Sequence, residues 1–138
     1  MITLAKRNAI EYNLLNRVEY YQGDAQRMPI EDRQFDAVFT NGSLHEWAQP
    51  ERILNEIERV IKPGGRYMIS DLRRDMIAPM RWFLWLTVHP QEMRPGLITS
   101  INAAYTLAEI KKLLSGTRLQ GWQARQNKLG IVITGRKP

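Results

Sequence analysis

Strand, turn, helix, glycine turn and second strand follow one another between residues 35 and 71, and this order constrains the fold more than any other feature. Phe35-Asp-Ala-Val-Phe-Thr40 has the short apolar centre of a strand buried in a parallel sheet. Asn41-Gly42-Ser43 turns the chain. Pro50 then suits a first helical position, and Ile53, Ile57, Val60 and Ile61 recur at helical spacing. Lys62-Pro63-Gly64-Gly65 is expected to end that helix, glycine supplying a left-handed conformation and proline refusing to continue. Tyr67, Met68 and Ile69 make the next strand, which ends at Ser70-Asp71. Strands joined through a helix run parallel, so the chain is expected to be α/β.

The flanks extend this pattern. Residues 2–15 read as a helix with Leu4, Ala5, Ala9 and Tyr12 near one face, ended by Asn16 in the left-handed region. Residues 18–22 read as a strand closed by Gly23-Asp24, and residues 27–34, around Pro29, as a loop. Asp75 is a candidate N-cap for a helix over residues 78–88. Its Trp82, Phe83, Trp85 and Leu86 run nearly all round it, which points to burial, a substrate lid or a dimer face. Thr106-Leu-Ala-Glu109 is a capping box opening a helix that stops at Gly116. Residues 119–125 and 131–134 read as an antiparallel hairpin. No repeat or linker divides the 138 residues, so a single domain is expected.

Composition narrows the chemistry. With Cys 0 there is no disulfide, thiolate metal site or cysteine nucleophile, and His45 and His89 are too few for a histidine-rich metal cluster. The longest apolar-leaning stretch, residues 76–88, is interrupted by Pro79 and Arg81 and is too short to span a bilayer. Lys6 and Arg7 are followed at once by polar residues, so no signal peptide is read, and a soluble, cytoplasmic protein is expected. The net charge of +6 attracts phosphates in general, but the charges are dispersed, and Arg73-Arg74 and Lys111-Lys112 each lie near an acid. Nucleic-acid binding is therefore disfavoured. A salt-dependent shift assay tests it.

Three segments carry a family resemblance over nearly the whole chain. They are Val18-Glu-Tyr-Tyr-Gln-Gly-Asp-Ala25 followed by Met28-Pro29, Phe35-Asp-Ala-Val-Phe-Thr-Asn-Gly-Ser-Leu-His45, and Glu56-Ile-Glu-Arg-Val-Ile-Lys-Pro-Gly-Gly-Arg66. In this order they resemble the third strand, fourth strand and fifth-strand approach of class I S-adenosylmethionine-dependent methyltransferases of the small-molecule type. The resemblance implies that Asp24 accepts a hydrogen bond from the adenine amino group and that the Ala25 amide meets a ring nitrogen. It implies that Asn41 borders the cofactor's methionine part, and it places His45 close to the methyl acceptor, where an imidazole can take a proton. Arg73 and Arg74 follow the fifth strand and are candidate acceptor contacts. Each has an ordinary alternative: an Asx turn at Asp24, a turn residue at Asn41, a packing histidine, surface arginines. Methyl transfer from a sulfonium is an in-line substitution that depends first on placement.

The chain also departs from that family. It contains no Gly-x-Gly, the pattern by which members approach the cofactor's methionine end, and no second-strand acid for the ribose. The expectation is a truncated Rossmann-like methyltransferase fold lacking the first two strands, with a mostly parallel sheet and a C-terminal antiparallel hairpin. Without those strands, residues 18–22 are left without their family neighbours. They are expected to fold back antiparallel on residues 35–40 or to pair with a second copy, giving a homodimer through the amino-terminal region. S-adenosylmethionine is expected to bind this chain weakly or not at all. Two functions remain open: methyl transfer to an unidentified small molecule, or a catalytically inactive relative acting as a dimeric binding module.

Overall fold

The computed structural model describes residues 2–138. Its elements are α1 (Ile2–Glu11), β1 (Phe35–Asn41), α2 (Pro50–Val60), β2 (Ile61–Leu72), α3 (Ala78–Thr87), α4 (Arg94–Ala103), α5 (Leu107–Ser115), β3 (Trp122–Gln126) and β4 (Gly130–Arg136). One sheet of order β1-β2-β4-β3 holds them together. β1 runs parallel to β2, while β2–β4 and β3–β4 are antiparallel. This is the α/β, Rossmann-like arrangement with a closing hairpin. Among the described residues its parallel part is the β1–β2 ladder.

α2 and α5 cover one face of the sheet. Ile53, Leu54 and Ile57 pack with Tyr67 and Ile69 of β2, Ile131 and Ile133 of β4, and Ile110 and Leu114 of α5, all buried, and Val60 is buried at the end of the same helix. Each such side chain contributes about 2 kcal/mol through removal from water. The opposite face is open: Phe39 is 77% exposed and Met68 42%. Alternation along β2 puts Tyr67, Ile69 and Asp71 on the helix side and Met68 and Ser70 on the other.

The helix–strand junction is tighter than the sequence implies. α2 ends at Val60 and β2 begins at Ile61, so Lys62-Pro63-Gly64-Gly65 lies within the strand instead of ending the helix. The irregularity appears as a register shift between the Phe35↔Ile61 and Ala37↔Arg66 pairs, absorbed by Gly64 at φ +77°. The capping box stands as read: Thr106 accepts from the Glu109 amide and Glu109 returns a bond to the Thr106 amide.

Several local expectations are corrected. α1 stops at Glu11, and the left-handed residue is Asn13 (φ 55°) rather than Asn16. Asp75 does not cap α3, whose N-cap is Ile77, because Asp75 accepts from Arg73 Nε at 2.7 Å instead. Helix α4 falls in a region with no readable pattern.

The largest correction concerns residues 18–22, which are not a strand and join no ladder among the described residues. Tyr20 anchors this stretch to α1 by donating to the Ala5 carbonyl at 2.9 Å. A cleft of about 840 Å³ separates Leu15, Val18 and Tyr21 from Pro29, Ile30 and Phe35. The reason lies in residues 27–34, which are tied to the end of α2: Gln34 donates to the Val60 carbonyl and Arg33 to the Arg59 carbonyl. The chain thus enters β1 alongside the end of α2, and residues 18–22 make no hairpin with it. β1 is left at one edge of the sheet, β3 standing at the other.

Candidate functional site

In an open α/β sheet, ligands gather outside the carboxyl ends of parallel strands. Here those ends are Asn41 of β1 and Asp71-Leu72 of β2. Residues 40–47 form the loop between β1 and α2. Gly42 sits at φ +66°, a conformation that favours glycine, and its amide donates to the Ser70 carbonyl at 2.8 Å. A short 3₁₀ turn, Leu44–Glu46, follows and presents His45.

His45 and Asp71 meet across the two strand ends. Nδ1 of His45 lies 2.9 Å from Oδ1 and 3.0 Å from Oδ2 of Asp71. The Asp71 carboxylate also accepts the His45 amide on Oδ2 and the Leu72 amide on Oδ1, both at 2.7 Å. The two side chains are 7% and 4% exposed. Nε2 of His45 is buried with no hydrogen-bond partner among the described residues, Glu46 Oε1 standing 3.9 Å away.

The loop borders two hollows. On one side a groove of about 450 Å³ runs along the free edge of β1, lined by Ala25, Met28, Val38, Thr40, Ser43 and Trp47 among others, mostly apolar. On the other a cavity of about 480 Å³ opens beneath α4, lined by Gly42, His45, Leu72, Glu92, Gly96 and Ser100 with Val88, Met93 and Leu97. A Cβ at Gly42 or Gly96 would meet nothing within 4 Å, so both glycines leave room in it.

The other candidates fall as follows. Ala25 lines the β1 groove. Asp24, the neighbour of Ala25, is exposed and absent from the groove lining, and its Oδ1 accepts the Gln26 amide at 2.9 Å in an Asx turn. Asn41 accepts the Ser70 hydroxyl through Oδ1. The structure does not bring Arg73 and Arg74 into the cavity lining. Arg73 bonds Asp75 and the Asn127 carbonyl, and Arg74 pairs with Glu109. The Arg73 hydrogen bond holds the Asp75 carboxyl below its ordinary range. Glu109 is held low first by the Thr106 amide, with Arg74 adding to it. Burial, with Glu51 next, pushes the Tyr105 hydroxyl up.

Asp71 as partner of His45 was missed from the sequence. The two are 26 positions apart, and only the parallel pairing of β1 with β2 brings them together. The available signal was that both are polar residues near the carboxyl ends of strands in one β-α-β unit.

The residues fit one end of S-adenosylmethionine. The apolar groove beside Asp24 and Ala25 suits a flat adenine, whereas no glycine-rich turn in this sequence approaches a methionine end.

Comparison with known proteins bears on family and fold. The methyltransferase domain family matches residues 1–69, half of the chain. An uncharacterized methyltransferase of Synechocystis sp. is 35% identical over 126 residues, covering 79% of this chain and 56% of the relative. The ubiquinone/menaquinone biosynthesis C-methyltransferase of Escherichia fergusonii is 28% identical over 80 residues, covering 58% of this chain and 32% of the relative. The chain thus spans about half or less of the curated relatives it matches. The crystal structure of a putative S-adenosyl-L-methionine-dependent methyltransferase from Methanococcus maripaludis superposes with a TM-score of 0.71 at 22% identity, covering 98% of this chain and 61% of that one.

Proposed function

Because the chain belongs to the methyltransferase domain family of class I S-adenosylmethionine-dependent methyltransferases, we propose that it carries the adenine and acceptor side of such an enzyme and serves methyl transfer to a small molecule. The observation that carries this reading is the single loop, residues 40–47, lining both hollows: Thr40 and Ser43 face the groove, Gly42 and His45 the cavity. An in-line transfer needs the acceptor atom and the sulfonium sulfur on opposite sides of the methyl carbon and in direct reach, which two sites bordering one loop permit. The bound cofactor supplies an electrophilic methyl group on a sulfonium. This chain's residues hold its adenine: Ala25 and Met28 form the groove, and Asp24 offers a carboxylate oxygen to the amino group. The acceptor enters the cavity beneath α4, where the glycines leave space and apolar side chains exclude water. The relative named for ubiquinone/menaquinone biosynthesis supports a small-molecule acceptor.

With only the adenine end held, the chain alone binds S-adenosylmethionine weakly, with a dissociation constant of about 1 mM. Calorimetric titration tests this, first on the chain and then on the chain joined to a strand and glycine-rich turn of the kind the family resemblance implies. Binding that tightens at least tenfold with methyl transfer restored supports the reading. Micromolar binding by the chain alone, or no gain on extension, contradicts it.

A second reading, a dimeric interaction module, is favoured by the unpaired edge of β1 with Phe35 and Phe39 exposed, beside an amino-terminal region exposing Leu4, Ile10, Tyr12 and Leu15.

A further inference from the structure

Helix α3 carries its largest apolar side chains on the side that faces away from the protein. None of its residues is buried. Its half-buried stripe is Met80, Arg81 and Leu84, continued by Val88, and Arg81 donates to the Asn102 side chain of α4 at 2.9 Å. The outward stripe is Trp82, Phe83 and Leu86, exposed by 64, 51 and 40%, with Ile77 before the helix and Met93 after it also exposed. Thr87, the one exposed polar residue of α3, turns its hydroxyl back onto the Leu84 carbonyl. An ordinary surface helix has the reverse arrangement, apolar inward and polar outward. A contiguous exposed apolar patch marks a binding surface.

Charge and composition say what covers it. No acidic residue stands between Asp75 and Glu92. At the edge of the patch the Arg94 guanidinium lies 4.1 Å from the centre of the Trp85 ring, and its Nε is buried without a hydrogen-bond partner among the described residues. A second copy of the chain suits this surface poorly. Each copy carries a net charge of +6, which resists self-association, and a dry protein interface strips the indole N–H groups of Trp82 and Trp85 of acceptors. An anionic lipid surface reverses both terms. It attracts the positive chain, and its headgroup layer offers water and carbonyls to indole. α3 is ten residues long, about 15 Å, too short to cross a bilayer but suited to lying in its plane.

We propose that α3 seats this protein on an anionic bilayer, with Trp82, Phe83 and Leu86 inserted at the boundary of headgroups and acyl chains and Arg94 at the level of the phosphates. Val88 and Met93, beside the patch, also line the cavity beneath α4, so docking sets the mouth of that cavity at the membrane. An apolar small molecule dissolved in the bilayer then reaches the cavity without crossing water. That last consequence rests on the methyltransferase reading above.

The test uses the whole chain with vesicles of phosphatidylcholine and phosphatidylglycerol and needs neither cofactor nor acceptor, so it fails or holds apart from that reading. The wild-type chain cosediments with the vesicles, its tryptophan emission moves to the blue, and lipids brominated near the headgroup end of the acyl chain quench it. W82S/F83S changes two outward side chains, keeps the wild-type unfolding midpoint and weakens binding by roughly tenfold or more. Vesicles of phosphatidylcholine alone, or R94Q on the mixed vesicles, weaken it by roughly fivefold. If the double variant does not fold, F83S alone and the wild-type quenching decide. Each of the following overturns the proposal: no binding, binding without quenching, binding unchanged by W82S/F83S or equally tight to phosphatidylcholine alone, or a lipid-free dimer that W82S/F83S dissolves.

Discussion

Glu56 receives both arms of the Arg59 guanidinium, at 2.9 and 2.8 Å, one turn apart on α2. Arg59 also reaches Asp32 and the carbonyls of Ile30 and Met28, and Glu56 accepts the Met28 amide at 3.0 Å. This one pair therefore holds the polar segment that leads into β1 and carries Met28 at the floor of the groove. The hydrogen bond from Arg59 keeps the Glu56 carboxyl below its ordinary 4.5.

A carboxylate stabilised in the folded chain adds stability above its unfolded pKa and loses it as pH falls through the folded value. E56Q is expected to lower stability at neutral pH by about 1–3 kcal/mol. Its stability should fall less than the wild type's on acidification below about pH 5. Urea unfolding at stepped pH checks both.

Tyr67 is buried on β2, and its hydroxyl donates to the Gln120 carbonyl at 2.7 Å; burial pushes it up to about 12. The neutral form is the one the fold favours, so its contribution is complete below 10.0, the unfolded value, and is lost as pH rises through the folded one. Denaturant midpoints should fall between about pH 10 and 12 by an amount that Y67F removes. Y67F itself costs about 1 kcal/mol near neutrality through the lost hydrogen bond.

Gly130 pairs with Leu72 at the end of β2, and a Cβ there would strike the Asp71 carbonyl oxygen. Backbone cannot give way as a flexible side chain does. G130A is expected to cost about 2 kcal/mol. Because the clash falls on Asp71, the His45 imidazole resonances should move with it, whereas Gly96→Ala should shift them with little loss of stability.

The free edge of β1 offers unpaired backbone groups flanked by exposed Phe39. If two copies meet there, light scattering at rising concentration gives twice the mass of one chain, and Phe39→Lys returns it to the monomer. A wild-type chain that stays monomeric at high concentration rules out the dimeric module.

What could be read beforehand followed from local rules. The Ile53–Ile57–Val60 stripe, the Thr106–Glu109 box and the closing hairpin each depend on residues within a few positions, and each stands. Residues 18–22 look like a strand locally, but strand formation needs a neighbour, and α2 draws the following loop away. α4 was hidden by Gly96, Ile98, Thr99 and Ile101, all weak helix formers, and is held instead by burial of Ile101. His45 was visible as a candidate. Its partner Asp71 was not, because strand pairing alone joins them.

The most direct check is amide NMR of this chain titrated with S-adenosylhomocysteine. The account predicts weak, saturable shifts concentrated at Ala25, Met28, Thr40 and Ser43, along the groove beside β1. No shifts at millimolar ligand, or shifts confined to surfaces away from residues 40–47, would contradict it.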